Sequence, residues 1–282
     1  MSISLSHRFF VLLLRLGGGR KILAKQFAKD RSATSAPKKK QIGAFGITKS
    51  VFKDHPIWTY AGNDTLIYYL HGGAFVLGFS PLYFAMMGGI AKASGATLVA
   101  PDYPLPPDSS AMEIHGWMRA HFVDTLEALN PKRVVIMGDS AGGNLAIGLA
   151  DWLNSNGHKA ADKLVLLAPW VDLEMAGPDE ALNPGEQLLV PDDLRDAGKR
   201  YAGSLDTKNP LISPIFADTL NLPETHIFTG DQDPLHPAIM RFAAKHPKVK
   251  VDLAKTLPHV YMLMPTKEAK SAFVRIAEAM NG

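Results

Sequence analysis

From Asp64 onward the chain alternates short apolar runs with longer segments of helical periodicity, and few folds accommodate that alternation. The apolar runs lie at 66–70, 97–100, 133–137, 164–167, 225–228 and 250–253, each of strand length. Helical segments at 83–94, 115–129, 141–154 and 236–245 fall between several of them. Strands alternating with helices predict an α/β fold, with a mostly parallel central sheet covered by helices on both faces. One stretch breaks the rhythm: residues 174–211 are rich in Pro, Gly and Asp and have little strand character. An insertion of that length in a compact domain is usually functional, here a helical cap or lid.

Composition narrows the class further. With 46% hydrophobic and 20% charged residues in a chain of 282, wholesale disorder and a polytopic membrane protein are both excluded. There is no cysteine, so disulfides, thiolate metal sites and a cysteine nucleophile are out, and a cytoplasmic location is expected. The net charge of +3 hides an asymmetry: residues 1–53 carry twelve Lys/Arg and one acid, Asp30, whereas the remainder is net acidic. The apolar run at 9–14 is ended by Arg15 and Gly17-Gly18-Gly19, far short of the roughly 18–20 residues of a membrane span. It is also a poor signal peptide. Residues 1–60 are therefore expected as a basic N-terminal segment that caps a binding cleft, in preference to a membrane-surface anchor. Residues 61–282 are expected to form the α/β domain. The Lys38-Lys39-Lys40 stretch lacks interleaved aromatics and reads as a solvated linker, with no nucleic-acid partner.

The chemistry concentrates at the ends of the expected strands. Gly138-Asp139-Ser140-Ala141-Gly142 fits G-x-S-x-G between the strand at 133–137 and a helix, the setting that motif requires. Glycines permit the sharp turn that leaves the Ser140 hydroxyl exposed at a helix N-terminus. His71-Gly72-Gly73-Ala74-Phe75 follows the strand at 66–70, where adjacent small residues free backbone N–H groups to hold a developing oxyanion. The Ala141 N–H would supply the other half.

A serine needs a base, and the base needs an orienting acid, in the chain order serine, acid, histidine. Five histidines follow Ser140. His259 stands just past the last strand, on the correct edge of the sheet, and is the base candidate. In Gly230-Asp231-Gln232-Asp233-Pro234, after the strand at 225–228, either aspartate could be the acid. Dinucleotide-binding, P-loop and H-E-x-x-H zinc motifs are absent, so no cofactor or metal ion is expected.

Assembled, these residues resemble the hormone-sensitive-lipase-like branch of the α/β-hydrolases, bacterial esterases with an HGGG box and a GDSAGG elbow. The resemblance runs from about Thr65 to the C-terminus, with Ala74 at the third glycine of the box. It implies Gly73, Ala74 and Ala141 as oxyanion donors. Asp233-Pro234-Leu235 looks like the family's acid motif and Pro258-His259-Val260 like its histidine loop, which favours Asp233 over Asp231. The chain departs from the family after Asp102-Tyr103, where Pro104 stands in place of the usual Arg.

The expectation is a serine carboxylesterase acting on a small-molecule ester through an acyl-enzyme. Short acyl chains are expected, with Phe75, Trp170 and Met262 lining the cleft. An amidase or deformylase on the same triad, or a non-catalytic ligand-binding protein of this fold, would be the rivals.

Overall fold

A computed structural model describes residues 3–29, 34–158, 161–175, 177 and 188–281. Its centre is an eight-stranded sheet built from β1 (Ile47–Phe52), β2 (His55–Tyr60), β3 (Asn63–Leu70), β4 (Ala96–Pro101), β5 (Arg133–Asp139), β6 (Lys163–Leu167), β7 (Glu224–Gly230) and β8 (Val249–Ala254). The spatial order is β1-β2-β4-β3-β5-β6-β7-β8. From β4 to β8 the neighbours are parallel, while β1 and β2 run antiparallel at one edge. All six strands expected from the apolar runs are present.

Residues 47–60, grouped with the N-terminal segment on sequence grounds, contribute β1 and β2 to this sheet, so the expected boundary at residue 60 does not separate two units. Their hairpin turns on Lys53 and Asp54, both at positive φ (45° and 66°). Two-residue hairpin turns favour Asn-Gly at such positions. The Lys-Asp pair gave no turn signal.

Burial follows the two-residue period of a strand. Val134, Ile136, Leu164 and Leu166 join one apolar cluster, and Val135, Met137, Val165 and Leu167 join another on the opposite face. The first cluster is closed by α5 (Ala111–Leu129), α6 (Ser140–Ser155) and α8 (His236–Lys245), the second by α4 (Pro81–Ser94) and α9 (Lys267–Asn281). Helix α5 starts four residues earlier than its apolar periodicity suggests, because Ser110 and Glu113 form a capping box at its N-terminus.

Three further helices precede the sheet: α1 (Leu5–Leu16), α2 (Gly19–Phe27) and α3 (Lys39–Phe45). The glycine run at 17–19 separates α1 from α2, with Gly18 at a φ of 66°. The Glu268 carboxylate on α9 accepts from both the backbone N–H and the hydroxyl of Ser4, at 2.7 and 2.8 Å, and so fixes the start of α1. At the other end, the Arg200 guanidinium of α7 (Pro191–Ala202) donates to the carbonyl oxygens of Phe27 and Lys29. Within the expected insertion at 174–211, residues 176 and 178–187 lie outside the described residues. The described part includes α7.

Helix α5 buries two histidines that stay neutral. Burial pulls His115 down to about 3 and His121 to about 4. The unfolded chain binds these protons below about pH 6.5, well above the folded values, so folding stability should fall as the pH drops from 7 towards 4. Urea unfolding at pH 7 and pH 5 checks this: the wild type should lose stability at the lower pH, and His115→Gln should lose less.

Candidate active site

Parallel register brings the chemistry to one edge. Leu70 of β3 pairs with Gly138 of β5, Asp139 with Leu167 of β6, Leu167 with Phe228 of β7, and Gly230 with Ala254 of β8. Loops leaving the carboxyl ends of these strands therefore meet, which is where open α/β sheets bind ligands.

Ser140 sits at the junction of β5 and α6 with φ at 51°, a left-handed conformation that costs a non-glycine residue on the order of 1–3 kcal/mol. The elbow glycines are steric requirements. A Cβ on Gly138 would lie 2.3 Å from the Gly142 carbonyl oxygen, and one on Gly142 would lie 2.1 Å from that of Leu70. Two contacts hold the strained turn. The Ser140 carbonyl accepts from the Trp170 N–H at 2.9 Å. The Asn144 amide donates to the carbonyl oxygens of Trp170 and Ile212 at 2.7 and 2.8 Å.

Asp139, immediately before the serine, is buried and ties the two glycine-rich loops together. Its Oδ1 accepts from the Tyr69 hydroxyl at 2.5 Å and the Gly72 N–H at 2.8 Å, and its Oδ2 accepts from the Tyr83 hydroxyl at 2.9 Å. Burial raises its pKa, and these three donors pull it back. Gly72 is packed against the elbow so closely that a Cβ there would meet Asp139 Oδ2 at 2.4 Å and Ser140 Cβ at 3.0 Å.

The loop after β3 then turns through Gly73, Ala74 and Phe75, all at positive φ (106°, 54° and 60°). Among the described residues, the N–H groups of Gly73 and Ala74 have no hydrogen-bond partner. The Ala141 N–H belongs to the first turn of α6, whose donors have no intrahelical acceptor, and Asp139 makes no capping bond there. His71 fixes this loop from behind. Its ring stacks on Tyr103 at 4.2 Å, its Nδ1–H donates to the Gly72 carbonyl at 2.7 Å, and the Tyr103 hydroxyl donates to the His71 carbonyl at 2.5 Å. The Asp102-Tyr103 segment is thus a prop for the box.

His259 donates from Nδ1 to Asp233 Oδ2 at 2.8 Å, which leaves Nε2 as the acceptor. Asp233 is itself held by the Leu235 N–H on Oδ1 at 2.8 Å and the Thr229 hydroxyl on Oδ2 at 3.3 Å. Asp231 faces elsewhere: its Oδ1 accepts from the Thr256 N–H at 2.6 Å, in the turn after β8. Of the two aspartates that the sequence left open, Asp233 meets His259.

Ser140 and His259 line one cavity of about 270 Å³ together with Gly73 and Ala74. Its apolar wall comes from Phe10 and Leu14 of α1, Leu23 and Phe27 of α2, Leu188, Leu189 and Leu194 of the insertion, and Leu263 and Met264 near His259. Phe75, Trp170 and Met262, expected as lining, are not part of it. Phe75 stacks on Tyr201 at 3.6 Å and on Trp170 at 5.7 Å, inside the core. Met262 turns into the opposite apolar cluster while its neighbours Val260, Leu263 and Met264 face the cavity. The true wall was signalled by Phe10 and Leu14, one helical turn apart. Among the described residues no group of His, Asp and Glu is placed to hold a metal ion.

A strained serine at a strand–helix turn, a base with its acid, and two runs of unpaired N–H groups on one cavity define a serine hydrolase site of the α/β type. Residues 67–263 match the family model described as alpha/beta hydrolase fold, and the chain belongs to that family. It is 34% identical over 226 residues to LipR of Mycobacterium tuberculosis, whose name marks it as a candidate acetyl-hydrolase, covering 78% of this chain and 71% of that protein. It is 30% identical over 188 residues to an esterase of Acinetobacter venetianus, covering 66% of this chain and 62% of the relative. A solved hormone-sensitive lipase from a metagenome library is similar over 97% of both chains, with 27% identity and a TM-score of 0.82.

The Asp139 network yields a test. Asp139→Ala leaves Tyr69, Tyr83 and Gly72 with buried donors and no acceptor, each worth about 1–3 kcal/mol. Urea unfolding should report a loss of at least ~2 kcal/mol, with Asp139→Asn, which keeps one acceptor oxygen, losing less.

Proposed function

We propose that this chain, a carboxylic ester hydrolase by family and relatives, cleaves small-molecule esters of short acyl chains with Ser140 as nucleophile, His259 as general base and acid, and Asp233 as the orienting carboxylate. The observation that carries the reading is the Asp233–His259 hydrogen bond at 2.8 Å on the cavity that Ser140 lines. Held through Nδ1, the imidazole presents Nε2 for the serine proton. As Ser140 Oγ attacks the ester carbonyl, the proton passes to His259, and negative charge develops on the carbonyl oxygen. The N–H groups of Gly73, Ala74 and Ala141 are the donors for that oxygen. Collapse of the tetrahedral intermediate expels the alcohol, which takes the proton back from His259, and leaves an acyl-serine. Water activated by the same imidazole then releases the acid.

The preference for short acyl chains rests on cavity size, since about 270 Å³ lies below the usual range of about 300–1,000 Å³ for small-molecule pockets. Two segments close it from above, the α1–α2 pair and the described end of the insertion. We read the α1–α2 pair as part of the cap on that ground. The location is read as cytoplasmic, consistent with a chain that has no cysteine.

Ser140→Ala should abolish the burst of phenolate from an activated ester, with turnover down on the order of 10⁴–10⁶-fold and an unchanged melting temperature. A variant keeping a tenth of the wild-type rate would remove Ser140 from the mechanism. Asp233→Asn should lower kcat by up to roughly 10⁴-fold, because it stabilises the wrong tautomer of His259. Asp231→Asn should retain turnover, since its carboxylate serves the turn at Thr256. Across p-nitrophenyl esters, kcat/KM should be highest for acetyl or butyryl groups, and faster hydrolysis of long chains would contradict the cavity argument.

A further inference from the structure

Helix α1 carries two apolar faces, and only one of them is used by the cavity. At 100° per residue, Phe10 and Leu14 point to the cavity side, with the buried His7 beside them. Leu5, Phe9, Leu12, Leu13 and Leu16 repeat at i, i+4, i+7, i+8 and i+11, which gathers them on the opposite, outward side. They are exposed there: Leu5 by 82%, Phe9 by 63% and Leu16 by 77%. Ile22 extends the exposed apolar surface onto α2. Such a stripe is unusual on a globular surface, where large apolar residues are normally scattered singly.

Its surroundings identify the partner. Residues 3–29 include six Lys/Arg and no Asp or Glu. Arg8, Lys21, Lys25 and Lys29 are exposed around the apolar stripe. Two copies of this face packed together would bring the exposed cations Arg8, Lys21, Lys25 and Lys29 of one copy against those of the other, so a symmetric dimer through it is disfavoured. An apolar helix face flanked by cations is instead what binds in the headgroup region of an anionic bilayer. The face is also presented rigidly, since Glu268 anchors the start of α1 and Arg200 clamps the end of α2.

We propose that the outward face of α1 and α2 is a docking surface for an anionic lipid bilayer, on which the helix pair lies flat while its inner face walls the catalytic cavity. The two readings of the N-terminal segment, cap and membrane-surface anchor, then describe opposite sides of the same helices. Docking is reversible and peripheral, since no helix among the described residues is long and apolar enough to cross a membrane.

The test is co-sedimentation of the full-length protein with vesicles of phosphatidylcholine alone or mixed equally with phosphatidylglycerol. The wild type should pellet with the mixed vesicles, less so at high salt, and hardly at all with phosphatidylcholine alone. Phe9→Ser combined with Leu13→Ser should weaken partition about tenfold or more. It should leave hydrolysis of p-nitrophenyl acetate unchanged, because neither residue lines the cavity. If that variant fails to fold, Lys21→Glu with Lys25→Glu provides the same reading through charge. Failure of the wild type to bind anionic vesicles, or equal binding by both variants, would overturn the proposal. So would sedimentation velocity showing a wild-type dimer that the Ser variant converts to monomer without vesicle binding. The assay reads binding without turnover, so its outcome is separate from the assignment of Ser140.

Discussion

The buried carboxylate of Asp139 is the contact on which the site depends. It stands one residue before Ser140 and accepts hydrogen bonds from Tyr69, Gly72 and Tyr83, so one carboxylate sets the distance between the elbow and the box after β3. A buried carboxylate is expensive in isolation, and burial does raise its pKa. Three converging donors offset that cost. In exchange, the backbone N–H groups after Gly72 are held against the N-terminus of α6. The strained φ of Ser140 persists because this network, the Trp170 and Asn144 bonds and the glycine contacts leave the turn no alternative.

The sheet makes such convergence possible. Five loops that are distant in sequence arrive at one edge because β3, β5, β6, β7 and β8 are parallel and in register. Helices cover both faces, α5, α6 and α8 on one and α4 and α9 on the other, and the period-two split of Val134 to Met137 between two clusters is the packing counterpart of that topology. Groups that hold the site together, such as the Trp170 backbone and the Asn144 amide, bond to backbone carbonyls and contribute no wall to the cavity.

How much of this was legible in the sequence depended on whether the signal was local. The parallel strands were, since each is a short apolar run, and so were the serine elbow and the histidine after β8. The β1–β2 hairpin was not, because Lys53 and Asp54 adopt positive φ without the Asn-Gly pair that marks such turns. The start of α5 was present as a Ser-x-x-Glu capping box but was outweighed by apolar periodicity. Helix α9 was overlooked because its buried stripe consists largely of alanines, with Ile276 and Met280 near its end. Asp231 and Asp233 stand two residues apart, and beyond the Asp233-Pro234-Leu235 motif the structure separates them, since Thr256 reaches Asp231 in the turn after β8 while Asp233 meets His259. The cavity wall was least legible, being a property of which helix lies over the site.

Much of that wall comes from Phe10 to Phe27 and from Leu188 to Leu194, whereas Ser140, Asp233 and His259 all lie between β5 and the C-terminus. Most of the residues that shape the cavity and those proposed for the reaction thus lie on separate stretches of chain. Exchanges at Phe10, Leu14 or Leu23 can reshape what the enzyme accepts while the proton-transfer chain keeps its geometry. A lineage carrying this fold can explore new substrates at its N-terminus without first passing through an inactive ancestor.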